Sequence, residues 1–357
     1  MAVKLPNLKP GYIYCIREQD YLDLSWGRYV KLGLTERTVA ERIREHQTGN
    51  PRKESSEYDL FVPLMTYTET YLHHHFASER IAGEWFDMDT AKVQADVASL
   101  LETLRDEQNE ILPYLMRWEE LKATPSNGTE RDPNQDELDL HEEYKTADEA
   151  LKLAEANHEI NDAKIRALIA DNDGIECVVT LIRKTYKDTC NSSTLKTLLT
   201  DDEKEQCITA GESKLSGQLN ITPGRTLEEL NQQLAEDLQE AKDEITTTPT
   251  VDNLDNTPLA LTDEIKELHI NWLGTMRAAK EAEWRTVKAA AKLIDALGED
   301  ERIRGLILWK RAMSTPTASF KSAKAKELFP DKYELALEPK ADTVSVDIHK
   351  GRTYLPP

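Results

Sequence analysis

Five residues near the start of this 357-residue chain have the types and spacing needed to break a phosphodiester bond. Tyr14 closes the run Gly11-Tyr12-Ile13-Tyr14, and Lys31 lies in a second short run, 29–35. Arg42 and His46 are four positions apart, an interval that places two side chains on one face of a helix. Glu69 falls in a further helical stretch near 66–79. Water attacking a phosphodiester needs a base for its proton, a cation for the transition-state charge and something to hold the leaving oxygen. A phenol, an ammonium, a guanidinium, an imidazole and a carboxylate can divide that work.

These groups need rigid elements to position them. Both early runs alternate apolar and polar residues, the pattern of half-buried strands. Joined by the polar loop 18–27, they make a hairpin that carries Tyr14 and Lys31. Thr38-Val39-Ala40-Glu41 reads as a capping box, so a helix starts there and presents Arg42 and His46. Leu72 and Phe76 repeat at helical spacing after Glu69 and pack its helix from the opposite stripe. Tyr12 is better suited than Tyr14 to packing in the core. Fold class is therefore α+β: a small N-terminal antiparallel sheet with flanking helices, then a mainly helical region.

Residues 10–89 resemble the GIY-YIG nuclease superfamily, in its phage-type branch. The matching segments are Gly11–Tyr14, Lys31–Thr35, Glu41-Arg42-Ile43, Glu69–His73 and Gly83-Glu84-Trp85-Phe86, in order and at the usual spacing. The resemblance covers about the first quarter of the chain. It implies a DNA endonuclease that uses one divalent ion, Mg²⁺ or Mn²⁺, held mainly by Glu69. A single carboxylate suffices because Mg²⁺ keeps several waters and also binds substrate phosphate. Tyr14 matches the tyrosine assigned to general-base or water-orienting work. Arg42 matches the arginine on the scissile phosphate, a role suited to a planar group that stays charged. His46 matches a position that is histidine in some of these nucleases; it either shares the proton transfer or is an ordinary surface histidine. Lys31 stands where the wider superfamily has its second tyrosine. A free phenol titrates at about 10, so Tyr14 needs a nearby cation to act as a base, and an ammonium at Lys31 would favour the phenolate.

Other residues carry weaker assignments. Arg37 and Arg44 are alternatives to Arg42, with Arg44 on a different helix face. His73-His74-His75 has the composition of a metal cluster, but consecutive helical residues point in different directions. His73, four after Glu69, shares its face and supports it from behind the metal. Glu84 either adds a carboxylate or holds the fold, and Trp85 and Phe86 are core residues.

The chain's net charge of −21 argues against indiscriminate binding to nucleic acid. Its distribution is uneven: residues 1–90 carry 11 basic and 14 acidic side chains, and most of the excess lies beyond. Two stretches are basic. Positions 28–53 hold seven cations against three carboxylates, and 302–326 hold seven cations and no carboxylate. Phosphate contacts are accordingly expected from Arg37, Arg44, Arg52 and Lys53, and from Lys310, Arg311, Lys321 and Lys324, though solvated helix faces show similar runs. Cysteines 15, 177, 190 and 207 lack metal or disulfide spacing. With no secretory signal and no membrane-length apolar run, a reduced, cytoplasmic setting is expected.

The chain divides into the αβ unit 1–89, a helical extension 90–123 that Pro113 kinks or breaks, and a polar linker 124–139. Two similar units follow, 140–245 and 262–357, separated by a second linker, 246–261. The first unit is expected to open on a capping box at Thr146–Glu149 and run helical to about 171. Strands are expected at 175–182, 217–221, 305–309 and 343–348. These units faintly resemble the accessory segment of phage YqaJ-type exonucleases; no activity carries over, because that family's carboxylate–lysine core is absent. They are expected to bind DNA or to assemble the protein through their helices, with RNA as an open alternative partner and no membrane. The competing reading is a non-catalytic nucleic-acid-binding or structural assembly protein on the same fold.

Overall fold

Alternation along the first strand buries both of its faces. Ile13 and Cys15 enter the main apolar core, while Tyr14 and Ile16 pack with Val39 and Ile43 on the other side. β1 (Gly11–Gln19) is therefore an inner strand of a sheet, with β2 (Trp26–Thr35) on one flank and β3 (Lys53–Val62) on the other. The order is β3-β1-β2-β5-β4, where β4 is Arg80–Ala82 and β5 is Trp85–Asp87; every pair is antiparallel. α1 (Val39–Gln47) covers one face, and its N-cap Thr38 forms the expected reciprocal box with Glu41. α2 (Met65–His75) packs on the other face through Met65, Leu72 and the following Phe76. This is a computed structural model in which residues 3–48, 50, 52–169, 172–246 and 248–354 are described.

The helical extension does not break at Pro113. α3 (Thr90–Lys92), a π-helical turn at Val93–Val97 and α4 (Ala98–Lys122) form one run. A mid-helix proline costs about 3 kcal/mol. Burial of Ile111, Leu115, Trp118 and Leu121 on the inward stripe offsets this, at about 1.5–3 kcal/mol for each large side chain. One apolar core continues from Ile13 and Leu32 through Leu101 and Leu104 to Trp284 and Ala290.

The linker at 124–139 is shorter than expected. After β6 (Glu130–Arg131), α5 runs from Gln135 to Ile169. Asn134 and Glu137 start this helix by exchanging bonds: Glu137 N–H donates to Asn134 Oδ1 and Asn134 N–H to Glu137 Oε2, both at 2.9 Å. Thr146–Glu149 therefore lies inside a helix that begins a full three turns earlier, and the expected end near 171 lies outside the described residues. The next elements are β7 (Val179–Lys184), β8 (Thr189–Cys190), α6 (Ser192–Leu198), α7 (Asp201–Gln206), β9 (Ile208–Thr209), β10 (Leu215–Ser216) and β11 (Leu219–Ile221). The strand expected at 175–182 thus begins later, at Val179. α8 (Leu227–Leu230) and α9 (Gln232–Asp243) follow, and the second linker holds a 3-10 turn at Val251–Asp255.

From α10 (Asp263–Leu297) a similar but not identical order returns, with four strands before the helix pair and two after it: β12 (Arg302–Ile303), β13 (Ile307–Trp309), β14 (Ala312–Met313), β15 (Ser319–Phe320), α11 (Ser322–Leu328), α12 (Pro330–Leu335), β16 (Leu337–Glu338) and β17 (Thr343–Ile348). The two halves are interleaved. β7 pairs with β17, β8 with β16, β9 with β15, β10 with β14 and β11 with β13, all antiparallel. Each half supplies the strands that complete the other. One buried histidine on each long helix meets an equivalent carbonyl: His141 Nε2 lies 2.8 Å from Thr222 O, and His269 Nε2 lies 2.7 Å from His349 O. No helix among the described residues is long and apolar enough to cross a membrane.

Candidate active site

Tyr14 is only 1% exposed, more deeply buried than Tyr12, which reverses the expected assignment of core packing. Tyr12 instead packs edge-on against Phe61. The Tyr14 ring lies across Gly33, its partner in the β1–β2 register. A Cβ at Gly33 would stand 2.6 Å from the phenolic oxygen, so the glycine is what lets the ring reach the rim of the sheet. There Arg42 Nε, one turn into α1, donates to Tyr14 Oη at 3.5 Å.

The cation beside Tyr14 is thus Arg42, while Lys31, on the same face of the sheet, is engaged by Glu84 and His46. Lys31 sits opposite Ile16, two residues along from Gly33, and its Nζ lies 3.3 Å from Glu84 Oε2 and 3.3 Å from His46 Nε2. The expectation that an ammonium would ease ionisation of the phenol fails for the same reason. Burial raises the Tyr14 pKa, and the opposing pull of Arg42 does not reverse it; Glu84 and Glu69 push it further up. Tyr14 is a proton-holding phenol at neutral pH. His46 moves the other way: burial, then Lys31 and Arg42, lower its pKa and keep its ring neutral.

Glu69 projects from α2 toward this group. Its carboxyl is raised to about 7, first by burial and then by the charge of Glu84, while Arg80 and Lys31 pull it down. His73, one turn on, is part of what fixes that helix: Nε2 lies 3.0 Å from Leu32 O and the ring lies against Phe86. His75 reaches Glu281 and His74 faces Lys280 and Lys350, so the three imidazoles diverge as expected. Among the described residues no group of three or more His, Cys, Asp or Glu side chains could hold a metal ion. Glu69 and Glu84 together offer two carboxylates. That donor set does not suit zinc, but it fits a hard ion that keeps its waters and also takes phosphate oxygen. A carboxyl raised by a like-charged neighbour is one that a cation would relieve.

Two residues escaped the sequence reading. Arg80, on β4, feels both Glu69 and Glu84, and burial lowers its pKa. Its guanidinium lies beside the Phe86 ring and donates to Gly83 O. Its place four residues before Glu84, across a hairpin from Phe86, was the available signal. Glu45 is the other. It holds Arg37 through two bonds, at 2.5 and 2.8 Å, and approaches Arg42 Nη1 at 3.3 Å.

The expected phosphate contacts are dispersed. Arg44 is exposed on α1, Lys53 is exposed at the start of β3, and Arg52 is half-buried beside it. In the second basic stretch, Lys310 is exposed and lies 3.6 Å from Glu301, and Lys321 is exposed before α11. Lys324 donates to Ile208 O. Arg311 is not a surface cation at all. It is 2% exposed, stacks 4.5 Å over Trp309, and donates from Nη2 to Gly298 O at the end of α10. Arg302 and Arg304 pair with Glu130 and Asp132, so the stretch forms no continuous basic face.

Tyr14, Lys31, Arg42, His46, Glu69 and Glu84 are nonetheless brought together from β1, β2, α1, α2 and the β4–β5 turn, joined by contacts and by mutual electrostatic influence. Comparisons with protein-family models, with curated proteins and with solved structures return no match to this chain.

Proposed function

We propose that this chain is a divalent-metal-dependent endonuclease that hydrolyses DNA phosphodiester bonds at the Tyr14–Arg42–Glu69 cluster. What carries the reading is the meeting of Glu69 and Glu84 with Arg42, Tyr14 and His46 about the inner strands β1 and β2. Glu69, assisted by Glu84, would hold Mg²⁺ or Mn²⁺, which supplies Lewis-acid charge to the phosphate and acidifies water. Arg42 is placed to bind a phosphate oxygen. Because Arg42 donates to the Tyr14 oxygen, the phenolic proton is free to be donated onward, either to the phosphate or to water that it orients. In this arrangement the lone pair of neutral His46 Nε2 accepts from the Lys31 ammonium, so His46 would take a proton only after Lys31 turns to a phosphate oxygen. The division of labour therefore differs from the one expected with Tyr14 as base.

The test is incubation of supercoiled plasmid with Mg²⁺ or Mn²⁺, comparing wild type with Glu69→Gln. Metal-dependent nicking that disappears in the variant supports the reading; no nicking across a range of salt, or equal nicking by both, sinks it. One observation favours a non-catalytic nucleic-acid-binding or assembly protein instead: Glu45 already occupies Arg37 and approaches Arg42. That reading predicts duplex binding with no dependence on Glu69 and no cleavage.

A further inference from the structure

The turn between β1 and β2 carries four apolar side chains that stand exposed among the described residues. Tyr21, Leu22, Leu24 and Trp26 are all exposed, Leu22 to 94%. The turn is firmly built. Asp20 N–H donates to Ser25 O, Gln19 Nε2 to Leu24 O, Leu22 N–H to Asp20 Oδ1 and Ser25 N–H to Asp23 Oδ1, all within 3.0 Å. Below it, buried Arg17 pairs with Glu57 at 2.8 Å and donates to the carbonyls of Gly27 and Arg28. Leu24 is held at φ 58°, a left-handed conformation that a leucine adopts only under constraint from its surroundings. The fold thus keeps Leu22 and its neighbours on display, although water-exposed apolar groups of this size gain nothing by being there.

We infer that this turn is a wedge that enters the base stack of duplex DNA alongside the candidate site; the inference rests on the nuclease reading above. Two features select this occupant. The wedge grows from the same two strands that carry Tyr14 and Lys31, so whatever lies over the cluster runs on toward the turn. Cations flank it: Lys53 pairs with Gln19 in the sheet register, and Arg52 is close enough to act on Asp23. Phosphate contacts beside apolar side chains that part base steps are how such wedges hold and kink a duplex. Asp20 and Asp23 each turn one oxygen back to the loop's own N–H groups. At roughly 3.3 Å per strand residue the turn stands about 20 Å from Tyr14. With the duplex lying along the hairpin, this is about six base pairs from the scissile phosphate, at roughly 3.4 Å each.

Full-length protein is tested for binding to a fluorescein-labelled duplex without divalent metal, so that affinity is read without cleavage. The double variant Tyr21→Ser/Leu22→Ser alters only exposed side chains, and circular dichroism confirms that it folds. Its affinity is expected to fall about tenfold or more, with the slope of log affinity against log salt unchanged. Arg52→Gln and Lys53→Gln should each reduce that slope by about one. A 2-aminopurine moved along the duplex should brighten at one region in the wild-type complex and not in that of the double variant. Wild-type affinity in the double variant overturns the wedge. So does a bound duplex in which no position brightens, an equal loss on single strands, or a wild-type dimer that the double variant dissociates. Plasmid nicking in Mg²⁺ separates the two claims. Tip-dependent duplex binding without nicking sinks the nuclease reading alone, and nicking with tip-independent affinity sinks the wedge alone.

Discussion

Glu69→Gln is expected to make the protein more stable, and increasingly so as pH rises. The wild-type carboxyl is carried from its ordinary 4.5 to about 7 in the folded protein, chiefly by burial and then by Glu84. Between those values the folded state holds a proton that the unfolded chain has released, so stability falls as pH rises through the window and the loss is complete above about 7. At about 1.4 kcal/mol for each pH unit of separation, the ceiling is about 3 kcal/mol. Glu69 is only partly buried, so solvent screening leaves about 1–2 kcal/mol. Glutamine keeps the shape and removes the ionisation. Urea unfolding should therefore give nearly equal stabilities at pH 4.5 and a variant that is 1–2 kcal/mol more stable, as an order of magnitude, at pH 8. Millimolar Mg²⁺ at pH 8 should then stabilise the wild type and leave the variant unchanged. A variant less stable than wild type at pH 8 would refute the reasoning, because it would mean that Arg80 and Lys31 outweigh burial and Glu84.

The remaining expectations concern the cluster and its supports. Nicking should rise with pH through about 7 as Glu69 loses its proton, and Glu84→Gln should move that midpoint lower by removing a like charge; a pH–rate profile of each protein checks this. Arg42→Ala should slow nicking by about 10²–10³-fold while leaving the urea midpoint nearly unchanged, as expected of a group that acts on transition-state charge. Gly33→Ala should cost about 1–3 kcal/mol in urea unfolding, because its Cβ would press on the Tyr14 ring. Arg311→Met should leave the salt slope of duplex binding unchanged, because this cation is buried against Trp309 and Gly298 O; a reduced slope would mean that it reaches phosphate.

What could be read in advance followed from local rules. Thr38 and Glu41 dictate where α1 starts, and the helical period then sets Arg42 and His46 on one face. Alternation fixes β1 and β2, and Leu72 and Phe76 fix which side of α2 turns inward and so leave Glu69 at the rim. These interactions span a few residues, so their signals are short and self-contained. Relations between distant residues were decided only by packing. Pro113 sits in an unbroken helix because the buried stripe around it outweighs the lost hydrogen bond. The similar C-terminal units interleave because each lacks strands that the other supplies. Arg311 lies in a basic stretch, yet it turns inward to a helix end and an indole ring. At the site, sequence determined which groups were available, and the tertiary structure decided their protonation. Tyr14 was expected to ionise more readily beside the Lys31 ammonium. Instead its ring passes over Gly33 into a buried position beside Arg42, within reach of two carboxylates, and keeps the proton. Desolvation and distant charges set these states, and they exist only once β1, α1, α2 and the β4–β5 turn have closed around one another.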